Sequence, residues 1–202
     1  MTTKPYYKPP CRIVLTGGPG AGKTAVLELA RRHFCEHVTV LPEAAGIVFG
    51  GGFPRVSSGP AVRAAQRAIF HVQAELESIA LAGDELAAAL CDRGTLDGLA
   101  YWPTTREDFF AELSTSMYEE LSRYHAVIHL KVPADPSDYV GTALRRETHK
   151  EALEIDARLL DVWSKHPRRV IINGSTDFIE KSRRALAAIE EAMETHECAM
   201  AA

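Results

Sequence analysis

The chain has 202 residues, 46% of them hydrophobic, enough for one substantial core, so a single domain is the expectation. Its net charge of −4 and pI near 6.1 exclude a global positive field able to hold a nucleic-acid backbone or an anionic membrane surface, so any phosphate binding must be local. Cys11, Cys35, Cys91 and Cys198 are widely spaced, with no C-x-x-C pair and no zinc-ligand spacing, and read as buried hydrophobes or free thiols of a reducing compartment.

Residues 1–10 carry Pro5, Pro9 and Pro10 and are expected to be a flexible leader to one domain over 11–196. This leader is not an apolar signal core, and no apolar run approaches the roughly 20 residues that span a bilayer. The expectation is a cytoplasmic protein with no nucleic-acid partner and no membrane insertion.

The short apolar run Cys11 to Thr16 reads as a buried parallel strand. Gly17-Gly18-Pro19-Gly20-Ala21-Gly22-Lys23-Thr24 follows and fits G-x-x-x-x-G-K-[ST], the P-loop pattern, at every fixed position. Val26, Leu29, Ala30, His33 and Phe34 then recur at helical spacing. Phosphates need close wrapping by main-chain N–H groups, which the glycines permit, and the helix start adds the positive end of its dipole. Lys23 supplies a full charge and Thr24 a hydroxyl ligand for Mg2+.

His37 to Leu41 reads as a second strand that ends at Pro42-Glu43, which puts Glu43 at the sheet edge where open α/β sheets bind ligands. Gly46 to Gly59 is breaker-rich and is expected to be irregular; Arg55 within it reads either as a solvated loop cation or as one that closes over substrate. Ala65, Ile69, Val72, Leu76 and Ile79 predict an amphipathic helix over 64–81, with Gln73 beside its apolar face. Leu86 to Cys91 is alanine-rich and compatible with helix, but an apolar run closing on Asp92 reads better as a third strand presenting a magnesium-side carboxylate. The alternative makes Asp92 a cap for the element starting at Thr95.

Phe110, Leu113, Met117 and Leu121 predict one further helix, and residues 126–132 the next strand. The charged stretch Leu144 to Lys150 leads into a helix with Ile155, Leu159 and Trp163 on one face. Arg145 and Arg146 read either as a solvated face or as lid cations, in a lid spanning about 141–152. Residues 169–173 form the last strand, and Phe178, Ala185, Leu186, Ile189 and Met193 the last helix. Five strands alternating with helices predict an α/β P-loop three-layer sandwich, a parallel sheet covered on both faces.

Phosphoryl transfer requires a phosphate cradle, a metal-side carboxylate, a base and cations. Lys23 and Thr24 belong to the cradle, Asp92 is the candidate second Mg2+ ligand, Glu43 the candidate base, and Arg93 projects near the acceptor. Asp97 either pairs with Arg93 or binds a sugar hydroxyl. His129 and His149 lack metal-ligand spacing and read as ordinary polar or core histidines.

Thr16 to Thr24, Pro42-Glu43-Ala44-Ala45, Gln73 and the run Cys91-Asp92-Arg93-Gly94-Thr95-Leu96-Asp97-Gly98-Leu99-Ala100-Tyr101 together resemble the small P-loop proteins with AAA-type ATPase-like domains. That group is related to the kinase domain of nicotinamide riboside kinases and, more distantly, to deoxynucleoside kinases. The resemblance covers about residues 12–190. It implies a nucleoside-kinase-like fold, Glu43 as base, Arg93 beside the third-strand acid, Arg145 and Arg146 as lid cations, and Asn173 to Thr176, including Ser175, around the adenine. Glu43, Arg55, Gln73, Arg93 and Asp97 are the substrate-side candidates. The segment 50–59 and Tyr101-Trp102-Pro103 match no acceptor pocket of that group.

The leading expectation is a Mg2+-dependent kinase that transfers the γ-phosphate of ATP to a small hydroxyl-bearing metabolite, nucleoside or nucleotide-like, with GTP left open as the donor. Two rivals stand beside it. An AAA-type NTPase generally has an acidic pair at the end of the third strand, whereas Arg93 follows Asp92 here. A nucleotide-dependent switch would bind a protein or lipid partner, although the guanine-reading N-K-x-D pattern is absent. Oligomeric state is left open.

Overall fold

The structure, a computed structural model of the chain, describes residues 10–34, 38–82, 86–136, 147–174 and 177–201. Five strands form one sheet: β1 (Cys11–Thr16), β2 (Val38–Leu41), β3 (Ala88–Asp92), β4 (Ala126–Leu130) and β5 (Arg169–Ile172). Every pairing is parallel and the order is β2-β3-β1-β4-β5. Strand β1 is therefore central, with Leu15 opposite Asp92 on one side and Ile128 on the other. A strand buried on both faces has no polar side, which is why β3 and β4 read as continuous apolar runs rather than alternating ones. For Leu86 to Cys91 this tertiary setting decides in favour of strand over the helix propensity of alanine.

Helices α1 (Lys23–His33) and α7 (Phe178–Ala201) cover one face, where Ile13, Leu15, Leu90 and Ile128 pack with Val26, Ala30, Ala185 and Ile189. The other face joins Val14, Cys91 and Val127 to Phe70, Leu96, Phe109, Leu159 and Trp163. These come from α3 (Gly59–Leu81), a 3₁₀ helix (Thr95–Tyr101), α4 (Arg106–Leu113), α6 (His149–Val162) and its C-cap Trp163. The predicted three-layer sandwich is the observed fold. No helix among the described residues is long and apolar enough to cross a membrane.

Several boundaries differ from the sequence reading. A short helix α2 (Ala44–Gly50) occupies the first part of the segment expected to be irregular, and it ends at Gly51-Gly52, where Gly52 has φ of 94°. Helix α3 starts at Gly59, five residues before the periodicity predicts, because Pro60 in the first turn loses no hydrogen bond there. The single helix expected through Phe110 and Leu121 is two, α4 and α5 (Met117–Ser122). Ser114 turns left-handed with φ of 52°, and Ser116 restarts the helix by accepting from the Glu119 N–H. Helix α6 opens on a capping box in which Thr148 and Glu151 bond each other's backbone N–H. That places Glu147 to Ala152 of the expected lid; the rest of that lid lies outside the described residues.

Candidate active site

The loop between β1 and α1 leaves the C-terminal edge of the sheet, where β3 flanks β1 on one side and β4 on the other. This is the crevice where open α/β sheets take ligands. Gly17 has φ of 133°, and a Cβ there would sit 2.0 Å from the Leu130 carbonyl oxygen, so only glycine fits. Gly22, with φ of 93°, caps α1 without a side-chain hydrogen bond, which leaves the first-turn N–H groups facing the loop.

Lys23 is buried and folded back over the loop, donating to the Gly17 carbonyl at 2.8 Å and the Gly18 carbonyl at 3.1 Å. Burial first, and then the Arg93 charge, lower its pKa to about 8, against the opposing pull of Asp92, Glu43 and Asp97. An ammonium so poorly solvated gains from an anionic ligand. Thr24 Oγ1 donates to Asp92 Oδ2 at 3.3 Å, while Asp92 Oδ1 is buried without a hydrogen-bond partner. Burial raises the Asp92 pKa despite Lys23, with Glu43 adding to the rise. A hydroxyl and an orphaned carboxylate oxygen side by side form a hard oxygen donor set that fits Mg2+.

Arg93 gathers the acceptor side. It has φ of 77°, a strained conformation for a residue with a long side chain. Its N–H continues the sheet to the Leu15 carbonyl, and its guanidinium meets Glu43 Oε1 at 2.6 Å, Asp97 Oδ2 at 3.2 Å and the Gly17 carbonyl at 3.5 Å. The Tyr101 ring lies 5.8 Å from its centre. For Glu43, burial works upward, but the charge and hydrogen bond of Arg93 outweigh it and hold the carboxyl below its ordinary pKa. Glu43 is the N-cap of α2, so the same residue ends the strand-to-helix turn and faces the cleft.

Asp97 is held from all sides. Besides Arg93 it accepts from Thr16 Oγ1 at 2.8 Å and from Trp163 Nε1 at 2.7 Å, and it is 3% exposed. Of the two readings for this residue, pairing with Arg93 is the contact the fold makes. Gln73 is buried on α3, lines the cleft and donates to Glu77 Oε1 at 3.0 Å. Arg55 pairs with Glu147 at 2.9 Å and lies 5.2 Å from the Phe49 ring, joining the loop after α2 to the start of α6. Asn173 is exposed just beyond β5, next to Gly174, which packs on the backbone of Val132 and Pro133. Arg145, Arg146 and Ser175 lie outside the described residues. His129 is a core histidine, and His149 bonds the Pro133 carbonyl at 2.8 Å.

A continuous cleft of about 1600 Å³ runs from Pro19, Gly20, Lys23 and Thr24 past Asp92, Arg93 and Glu43 to Phe70, Tyr101 and Trp102. Sequence reasoning missed Tyr101, Gln66 and Glu147 on its wall, and it missed Asp156 altogether. Asp156 accepts from the Gly18 N–H at 2.8 Å and bonds His129 at 2.9 Å, tying the loop to α6 and β4. The available signal was an acid next to Ile155 on the apolar face of a helix, where a carboxylate needs buried donors.

A family model described as AAA domain matches residues 12–181. The chain belongs to the AAA domain family. The matched span runs from β1 into the start of α7, so it takes in the loop, Asp92 and the whole cleft wall. No curated protein matches the sequence. As an AAA domain the chain is a nucleotide-binding P-loop protein of the NTPase type, which agrees with the cradle at Lys23 and the donor pair of Thr24 and Asp92.

Proposed function

We propose that this AAA domain is a small-molecule kinase, transferring the γ-phosphoryl group of ATP to a hydroxyl of a nucleoside-like metabolite. The observation that carries the reading is the paired Glu43 and Arg93 in a cleft that extends far beyond the phosphate cradle. Hydrolysis needs room for one water, whereas this cleft has the volume of a metabolite site and aromatic walls at Phe70, Tyr101 and Trp102.

In this reading, loop N–H groups and Lys23 hold the donor phosphates. Mg2+, held by Thr24 and Asp92, would neutralise charge on the phosphate oxygens. Glu43, ionised at neutral pH, takes the proton of the acceptor hydroxyl as its oxygen bonds to phosphorus and the nucleoside diphosphate leaves. Arg93 orients Glu43 and adds positive charge beside the transferring group. Arg145 and Arg146 join it as lid cations, Asn173 and Ser175 flank the base of the donor, and Gln73 and Arg55 face the acceptor. The resemblance to nicotinamide riboside kinase and deoxynucleoside kinase domains supports the same assignment, and ATP is the expected donor, with GTP the alternative.

Family membership favours a second reading, in which the same cradle hydrolyses ATP without an acceptor. Incubating the protein with γ-labelled ATP, Mg2+ and a panel of nucleosides and related alcohols separates the two. Label transferred to an acceptor supports the kinase; label found only in inorganic phosphate with every acceptor rejects it.

A further inference from the structure

The cysteine spacing gave no metal signal, yet the fold brings three ligand types together at the opposite end of the sheet from the P-loop. Cys11 opens β1, His125 immediately precedes β4, and His196 lies on α7. One ligand atom from each lies within 4.8 Å of the others. The P-loop begins at the far end of β1, about 17 Å away at ~3.3 Å per residue.

The geometry of the two imidazoles is specific. His125 Nδ1 and His196 Nδ1 are 3.4 Å apart. A tetrahedral ion with metal–nitrogen bonds of about 2.05 Å separates two nitrogen ligands by about 3.3 Å, and a nitrogen and a sulfur by about 3.6 Å. The histidine pair therefore already stands at ligand spacing, and the thiol lies within 4.8 Å of a ring nitrogen of each. The tautomer is also set. Thr195 Oγ1 donates to the Ala192 carbonyl at 3.1 Å, so it accepts from His125 Nε2–H at 3.2 Å, which leaves the Nδ1 lone pair facing the cluster. A second ring nitrogen donating to a neighbouring oxygen is how ligating histidines are oriented.

The scaffold holds these residues from the backbone. The His125 N–H bonds the Arg12 carbonyl at 2.8 Å, and Cys11 Sγ reaches the Ala192 carbonyl of α7 at 3.8 Å. Arg168 Nη1, from an exposed residue, donates to that same His125 Nδ1 at 3.2 Å, so an ion bound there must displace it.

We infer that Cys11, His125 and His196 form a site for a borderline-soft divalent ion, Zn2+ above all, with water in the fourth position. Binding replaces the Cys11 thiol proton with the metal and releases that proton to solvent. The ion clamps α7 to the N-terminal edge of the central strands and is independent of the nucleotide site.

The test is titration of the full-length, metal-stripped protein with Co2+ as a spectroscopic stand-in, followed by competition with Zn2+. The expected result is one ion per chain, a thiolate-to-cobalt charge-transfer band, and displacement by Zn2+. Cys11→Ser should abolish the band, and His196→Ala, on the partly exposed helix, should weaken binding by at least about tenfold. Far-UV circular dichroism and nucleotide affinity should be unchanged in both variants. Absence of stoichiometric cobalt, or a band that survives Cys11→Ser, overturns the inference, as does equal affinity in His196→Ala.

Discussion

Replacing Glu43 with Gln separates the chemistry from the fold. The substitution keeps the shape and the N-cap position of α2 but removes the proton acceptor and its charge beside Arg93. The stability cost is small, because the Glu43 side chain is 40% exposed and Arg93 keeps its contact with Asp97. A partly exposed pair of this kind contributes about 1 kcal/mol or less. Loss of a general base lowers the rate by roughly 10² to 10⁴, or about 3–5 kcal/mol of transition-state stabilisation. Phosphoryl transfer to the acceptor should fall by that factor with little change in the denaturation midpoint or in ATP affinity. The assay is initial-rate transfer of label under saturating ATP, with urea melts in parallel. A loss of transfer under tenfold, or a fall explained by unfolding, would refute Glu43 as base.

Further expectations follow from neighbouring groups. Asp97→Asn leaves Arg93, Thr16 and Trp163 without a carboxylate between them and should cost about 3–5 kcal/mol, read from urea unfolding. Gly18→Ala drives a Cβ to 2.7 Å from the Ala152 carbonyl and 2.6 Å from Val132, so it should destabilise by about 1–3 kcal/mol and weaken ATP binding, measured by calorimetry. Lys23 has its pKa lowered to about 8 in the folded chain, so between there and its unfolded value the unfolded state holds more protons. Stability of the nucleotide-free protein should therefore gain with pH above 8 from Lys23, while Cys91, whose thiol burial pushes up, opposes that gain as the unfolded thiol ionises near its ordinary value of 9.0. Lys181, also lowered to about 8, contributes alongside, so urea melts of Lys23→Met should show a shallower slope rather than none.

The parts of the site that were legible in the sequence are those whose chemistry is local. A glycine loop must directly precede its helix, and an acid that ends an apolar strand must lie at the sheet edge, so the position of Lys23, Thr24, Glu43 and Asp92 on one cleft could be read from their order alone. What could not be read is set by approach across the sheet. Asp97 lies one turn from Arg93 in sequence, but Thr16 and Trp163 reach it from β1 and the end of α6. Glu77 on α3 is buried because Arg12 of β1 and the adjacent Arg123 and Tyr124, between α5 and β4, converge on it. Asp156 serves the P-loop from 138 residues away. The break at Ser114 was missed for a different reason, since apolar spacing continues across a left-handed residue that redirects the helix axis.

The central claim is that the phosphates of a nucleotide lie in the cradle around Lys23. Calorimetric titration of the wild-type protein and Lys23→Ala with ATP and Mg2+ tests it most directly. The wild type should show saturable one-site binding, and a variant that remains folded should lose tenfold or more, since a charged hydrogen bond contributes about 1.5–3 kcal/mol. Equal affinity in the two proteins, or no binding by the wild type, would contradict it.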